Sequence, residues 1–295
     1  MGLGMSAFRG KADEDRRPPE RPLIAISGHW DNRISSLECL NYRKVMAIEE
    51  KAKGNSMCRL AFLILIAGLV GCSASAEFIE IELSDGAPPV GAHLYKPSGK
   101  GPHPGVFVLH HSIGLTDEIK EFSDDLSDEG YVTLAVDFSN RGWFDPHLAA
   151  AYDYLQKLPE VDGRRIGFVG FSKGARLGMG LATLWKNERP PRPLRAFVSY
   201  YIGNSIDTMP TPDLPPILFL HGKNDPEVDA DLIVAFCGMQ KQLGGLCEAK
   251  IYFGASHTFT RDTGKYGDQD FQATVDAFKR TVTFFNKHVR NAPIH

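Results

Sequence analysis

The chain has 295 residues, 43% of them hydrophobic and 23% charged, with a formal net charge of -3. These proportions belong to a globular protein and exclude fibrous and wholly disordered classes. With net charge this close to zero, and the basic pairs Arg16-Arg17 and Arg164-Arg165 isolated, there is no electrostatic footprint for nucleic acid.

Residues 1–56 include the run RRPPERP and carry little hydrophobic periodicity; they read as an unstructured or mis-assigned extension. From Leu60 to Val70 the sequence LAFLILIAGLV has no polar side chain. Eleven residues are too few for a bilayer core, which takes roughly 20, but they suit the apolar region of a secretory signal. Arg59 supplies a positive flank, and Leu69-Val70-Gly71-Cys72 resembles the bacterial lipobox, in which Cys72 would be lipidated. Ala74-Ser75-Ala76 offers a competing cleavage site. Residues 57–76 are therefore expected to export the protein to the bacterial cell envelope or periplasm, either with a lipid on Cys72 as its membrane attachment or cleaved after Ala76. A buried core helix in a cytoplasmic protein is the alternative. Translation is expected to start at Met57 or Met46.

Residues 77–295 read as one domain. Ile79, Ile81 and Leu83 alternate with Glu80 and Glu82, a strand with one wet face, and Val90–Tyr95 follows a Gly-Ala-Pro-Pro turn as its antiparallel partner. Continuous apolar runs follow at Val106–Leu109, Val132–Val136, Ile166–Val169, Ala196–Tyr200, Ile217–Leu220 and Ala249–Phe253. Runs apolar on both faces belong to parallel strands covered by helices. Between them lie helical stripes: Ile119, Phe122 and Leu126; Leu177, Leu181, Leu184 and Trp185; Leu232, Phe236, Met239 and Leu243; and Phe271, Val275, Phe278, Val282 and Phe285. All four are expected to face the core. The alternation predicts an α/β fold around a mostly parallel sheet with helices on both faces. Cys237 and Cys247 could close a disulfide in an oxidising compartment; two buried thiols are the other reading.

Gly170-Phe171-Ser172-Lys173-Gly174 lies where an apolar strand gives way to a helical stripe, the setting of a nucleophile elbow. A side chain at either glycine would clash with the adjoining strand or helix. An alcohol needs a base, and His257 follows the last strand while Asp225 follows the one before it. The chain order Ser, Asp, His is that of the α/β-hydrolase fold. The expected oxyanion donors are the backbone N–H groups of Lys173 and Ser112, with Ile113 as second choice. The adjacent His110 and His111 point to opposite faces at a strand end, so no metal site is expected. The triad chemistry needs no cofactor.

From about Glu77 to Val289 the chain resembles the dienelactone hydrolases, a branch of the α/β-hydrolases. The resemblance rests on the elbow GFSKGA, Val198-Ser199-Tyr200-Tyr201, the run HGKNDP, His257-Thr258-Phe259-Thr260-Arg261 and Asp137-Phe138-Ser139-Asn140-Arg141. It implies that Arg141 and Arg261 hold a substrate carboxylate, with Tyr201 at the same site, and that the substrate is a small ester or lactone, carboxylated or not. Two departures stand out. The family's characteristic nucleophile is Cys where this chain has Ser172, and a glutamate in the oxyanion turn is replaced by His111. A serine activated directly by His257 has no need of that glutamate. Two alternatives remain: a peptidase or acyl-peptide hydrolase, and a non-catalytic envelope lipoprotein that uses the fold as a binding module.

N-terminal sequencing of the native protein checks the export reading. A start at Cys72, or just after Ala76, is expected; a mature protein beginning near Met1 contradicts it.

Overall fold

The computed structural model describes residues 75–139, 147–188, 191–261 and 268–294. Residues 1–56, most of the 57–76 segment with Cys72, and Arg141 lie outside them. The strands are β1 Ser75–Ile81, β2 Val90–Lys96, β3 His103–Leu109, β4 Val132–Val136, β5 Val161–Phe171, β6 Ala196–Tyr200, β7 Ile217–Gly222 and β8 Cys247–Tyr252. They form one sheet in the order β1-β2-β4-β3-β5-β6-β7-β8. β1 and β2 are antiparallel to their neighbours, and β3 through β8 run parallel. The helices are α1 Asp117–Asp128, α2 His147–Lys157, α3 Lys173–Asn187, α4 Ala230–Gln242 and α5 Asp268–Phe285, which runs on into a π turn over Asn286–Arg290.

Side chains alternate across a strand, so each strand feeds two cores. Phe107, Phe168, Phe197 and Phe219 pack with Tyr152, Trp185 and Phe236 from α2, α3 and α4. Val106, Val108, Val169, Phe171 and Tyr200 pack on the opposite face with Ile119 and Leu126 from α1 and Phe284 and Phe285 from α5. The aromatic residues meet mostly edge to face or tilted: Trp185 against Phe107 at 5.8 Å between centroids, Phe122 against Phe171 at 5.1 Å and against Phe278 at 5.5 Å. Such pairs contribute roughly 0.5–1.5 kcal/mol each beyond the area they bury.

Every strand inferred from an apolar run is present, the central ones within a few residues of the inferred limits. The helices differ more. α2 was not inferred, although Leu148, Ala151, Tyr152 and Leu155 are buried at helical spacing. In α4 the inferred core stripe is corrected: Leu232, Met239 and Leu243 are exposed, and the buried line is Ile233, Phe236, Cys237 and Gln240. The reason lies in two tethers. Gln240 accepts from Thr211 N–H at 2.9 Å and donates to Thr211 O at 2.7 Å, and Cys237 forms a disulfide with Cys247 of β8. Those two contacts set the rotation of the helix, and the apolar side chains one position away turn outward. Leu184 in α3 is likewise exposed, whereas Leu177, Leu181 and Trp185 are buried as expected.

Ser75 and Ala76 belong to β1, paired with Lys96 and Tyr95. Of the two expected processing positions, Cys72 would leave this strand whole and Ala76 would shorten it.

Cys237 and Cys247 are 10 residues apart. Closing a loop of that size stabilises by about 3 kcal/mol in the chain-entropy estimate. The double variant Cys237→Ala/Cys247→Ala is expected to lose about that much in urea denaturation, and reductant should lower the midpoint of the wild type but not of the variant.

Candidate active site

β5, β6, β7 and β8 are neighbours in the sheet, so the loops at their carboxyl ends share one rim. β5 ends at Phe171, and α3 begins two residues later at Lys173. So abrupt a turn puts Ser172 at φ 48 and ψ -110, a left-handed backbone that costs a side-chain-bearing residue on the order of 1–3 kcal/mol. The flanking glycines make the turn feasible. A Cβ on Gly170 would lie 2.5 Å from Ala175 Cα and Gly174 O, and one on Gly174 would lie 2.4 Å from Leu109 O. The strained residue is held by its neighbours: Ser172 N–H donates to Tyr200 O (3.0 Å), and Ser172 O accepts from Arg176 N–H (3.1 Å) and Gly203 N–H (3.2 Å).

The loops after β7 and β8 are laced together. Lys223 N–H donates to Tyr252 O at 2.8 Å and Asn224 N–H to Ala255 O at 3.0 Å. This brings Asp225 from one loop beside His257 from the other. Asp225 Oδ2 accepts from His257 Nδ1 at 2.8 Å, and His257 Nε2 lies 2.9 Å from Ser172 Oγ. Three side chains from three loops thus form one hydrogen-bonded chain. Asp225 Oδ1 accepts from the N–H groups of Glu227 (2.8 Å) and Val228 (3.3 Å). Burial by itself would push this carboxyl up, but the His257 hydrogen bond and charge, with the Glu227 N–H, hold it below the usual carboxylate range. Asp225 is therefore ionised at neutral pH and keeps the His257 Nδ1 proton in place.

The other histidines nearby are fixed by their partners. Burial pulls His110 and His221 down, so both are neutral at pH 7. His110 stacks on Phe138 at 4.1 Å; its Nδ1 donates to His111 O, and its Nε2 accepts from Phe138 N–H. His221 Nε2 donates to Val228 O at 2.8 Å. His111 Nδ1 accepts from Ile113 N–H at 3.3 Å, and its Nε2 lies 3.2 Å from Glu118 Oε1. His110 and His111 do not converge, and among the described residues no group of three or more His, Cys, Asp or Glu could hold a metal ion.

The remaining inferred residues fall out unevenly. Lys173 opens α3, which puts its N–H at the positive end of a 15-residue helix. Ser112 is exposed in the turn after β3. Tyr201 is wholly buried, with its hydroxyl 2.6 Å from Thr260 Oγ1 and its ring edge-on to His257; it forms the wall behind the imidazole. Burial pushes its phenol well above the ordinary value. Arg261 Nε lies 3.7 Å from Glu118 Oε2, so its charge already has a partner. One residue at the site went unnoticed in the sequence. Glu227 Oε1 is 3.2 Å from His257 Nε2, and its Oε2 accepts from Asn204 N–H at 3.1 Å. Its place two positions after Asp225 carries no periodic or motif signal.

Comparison with known proteins agrees with this architecture. The family model described as the dienelactone hydrolase family matches residues 90–146 and 142–289. A putative carboxymethylenebutenolidase from Saccharolobus solfataricus is 27% identical over 262 residues, covering 69% of this chain and 96% of the relative. A probable 2-oxo-3-(5-oxofuran-2-ylidene)propanoate lactonase from a Bradyrhizobium species is 27% identical over 201 residues, covering 57% of this chain and 78% of the relative. The crystal structure of a dienelactone hydrolase-like promiscuous phosphotriesterase from metagenomic libraries has the same fold, with a TM-score of 0.60 at 24% identity, covering 73% of this chain and 99% of the other. With a match across most of the sheet and helices, this chain belongs to the dienelactone hydrolase family.

Proposed function

We propose that the protein hydrolyses a small ester or lactone through an acyl-enzyme on Ser172. The observation that carries this reading is the continuous hydrogen-bonded chain from Ser172 Oγ through His257 to Asp225, at 2.9 and 2.8 Å. In the first half-reaction His257 takes the hydroxyl proton as Ser172 attacks the carbonyl carbon, and then gives that proton to the departing oxygen. In the second, His257 takes a proton from water as it attacks the acyl carbon, then gives that proton to Ser172 Oγ as the bond to the serine breaks and the acid is released. Asp225, ionised and held by two backbone N–H groups, fixes the tautomer and balances the imidazolium. The N–H groups of Lys173 and Ser112 are the proposed oxyanion donors. The helix end supports the first, and the second is favoured because the Ile113 N–H is occupied by His111.

The lactonase and carboxymethylenebutenolidase among the relatives support the ester or lactone class. At Arg261 a substrate carboxylate would have to compete with Glu118 for the charge. The Cys237–Cys247 disulfide supports an oxidising compartment and, with the apolar segment before Cys72, an exported enzyme. Intact nucleophile, base and acid favour catalysis over a binding module.

Three substitutions test the reading. Ser172→Ala should abolish both turnover of a p-nitrophenyl ester and labelling by a fluorophosphonate; retained activity would rule the mechanism out. Asp225→Asn leaves the shape intact but favours the wrong tautomer, and kcat should fall about 10⁴-fold. A Cβ on Gly203 would lie 2.7 Å from Ser172 Oγ, so Gly203→Ala displaces the hydroxyl and should lower kcat/KM on the order of 10²-fold in ester assays.

A further inference from the structure

The base at this site faces two carboxylates. Asp225 holds Nδ1 from below the rim, as the mechanism requires. Glu227 reaches Nε2 from the open side: Oε1 is 3.2 Å from the nitrogen, and the side chain is 37% exposed. Nothing in the proposed acyl transfer uses this second group. Its position is nonetheless fixed, because Oε2 accepts from Asn204 N–H at 3.1 Å, and that anchor lies in the loop over the nucleophile. An ideal Cβ on Gly203 would sit 2.7 Å from Ser172 Oγ and 3.0 Å from Glu227 Oε2, so hydroxyl and carboxylate border the same small space.

That space has a defined use. When the ester C–O bond breaks, the departing oxygen receives its proton from His257 Nε2 and must lie within hydrogen-bond reach of that nitrogen. The alcohol half of the substrate therefore leaves past Glu227. We propose that Glu227 sets the charge of the leaving alcohol that the enzyme accepts, admitting neutral and cationic alcohols and discriminating against anionic ones. The proposal rests on the serine mechanism above and adds a specificity to it.

Two cations near the site are paired with other carboxylates: Arg261 Nε lies 3.7 Å from Glu118 Oε2, and Arg176 Nε lies 2.5 Å from Asp207 Oδ2. Of the described acidic groups, Glu227 is the one within 3.2 Å of the nitrogen that delivers the proton. A single charge acting across a few ångströms in a partly shielded site changes relative rates by about tenfold or more.

The experiment uses three phenyl acetates that differ only in the para substituent: carboxylate, methoxycarbonyl and trimethylammonio. For each, kcat/KM is measured with the wild type and with Glu227→Gln, which keeps an oxygen able to accept from Asn204 N–H. Comparing the two proteins removes the intrinsic reactivity of the esters. The ratio of the cationic to the anionic ester should fall about tenfold in the glutamine variant, and in the wild type it should shrink as salt rises from low to high ionic strength. If the glutamine variant fails to fold, the salt series on the wild type still tests the proposal, because a ratio that salt does not move excludes control by charge. A ratio that neither the substitution nor salt moves, with all three activities still lost in Ser172→Ala, overturns the role of Glu227 and leaves the serine mechanism standing. Activity that survives Ser172→Ala instead overturns the mechanism itself.

Discussion

The site depends on how closely α3 starts against the end of β3. Gly174 leaves so little room that an added Cβ would lie 2.4 Å from Leu109 O and 2.6 Å from His110 O. That contact lets a buried strand reverse into a buried helix within two residues, and the reversal is what raises the Ser172 hydroxyl above the sheet. Three consequences follow from the one approach. The serine accepts a strained backbone, the first amides of the helix face the space above it, and the turn after β3 is held alongside as the opposite wall. Backbone hydrogen bonds from Ser172 N–H to Tyr200 O and from Gly203 N–H to Ser172 O tie the strained residue to β6 and to the loop after it.

The sheet and the tight turn at Ser172 were legible in the sequence for the same reason. Strands buried on both faces must be apolar throughout, and a turn this tight needs glycine on each side of the serine, so both leave marks that depend on few neighbours. Asp225 and His257 were legible through order and position after consecutive strands. Helix rotation was not. In α4 two apolar faces compete on the page, Leu232-Met239-Leu243 and Ile233-Phe236-Cys237, and the choice between them is made by Cys247 and Thr211 far along the chain. α2 escaped notice because its buried face mixes alanine and tyrosine with leucine, which dilutes the stripe.

Charge placement was the least legible part. Arg261 has the position expected of a carboxylate clamp, yet α1 delivers Glu118 to it from outside the motif. Glu227 reaches His257 from the loop that also carries Asp225, a contact set by loop geometry and not by spacing. Both carboxylates belong to residues with no pattern of their own. Tyr201 illustrates the converse: its neighbours match a family stretch, but the aromatic packing beside Phe171 and Phe259 makes it part of the scaffold. The electrostatics of the cavity thus differ from what the family motif alone conveys, with acidic groups set against an otherwise familiar frame.

The hydrogen bonds of His110, His111 and His221 have a consequence for chemical reactivity. Each ring has a nitrogen committed as donor or acceptor to fixed protein atoms, and each is 1% exposed. Of the four rings at this rim, that of His257 has a solvent-reaching face, 12% exposed. An electrophile selective for imidazole therefore meets four rings at this rim but finds one with a face open to solvent, and the stoichiometry of its reaction there is set by His257.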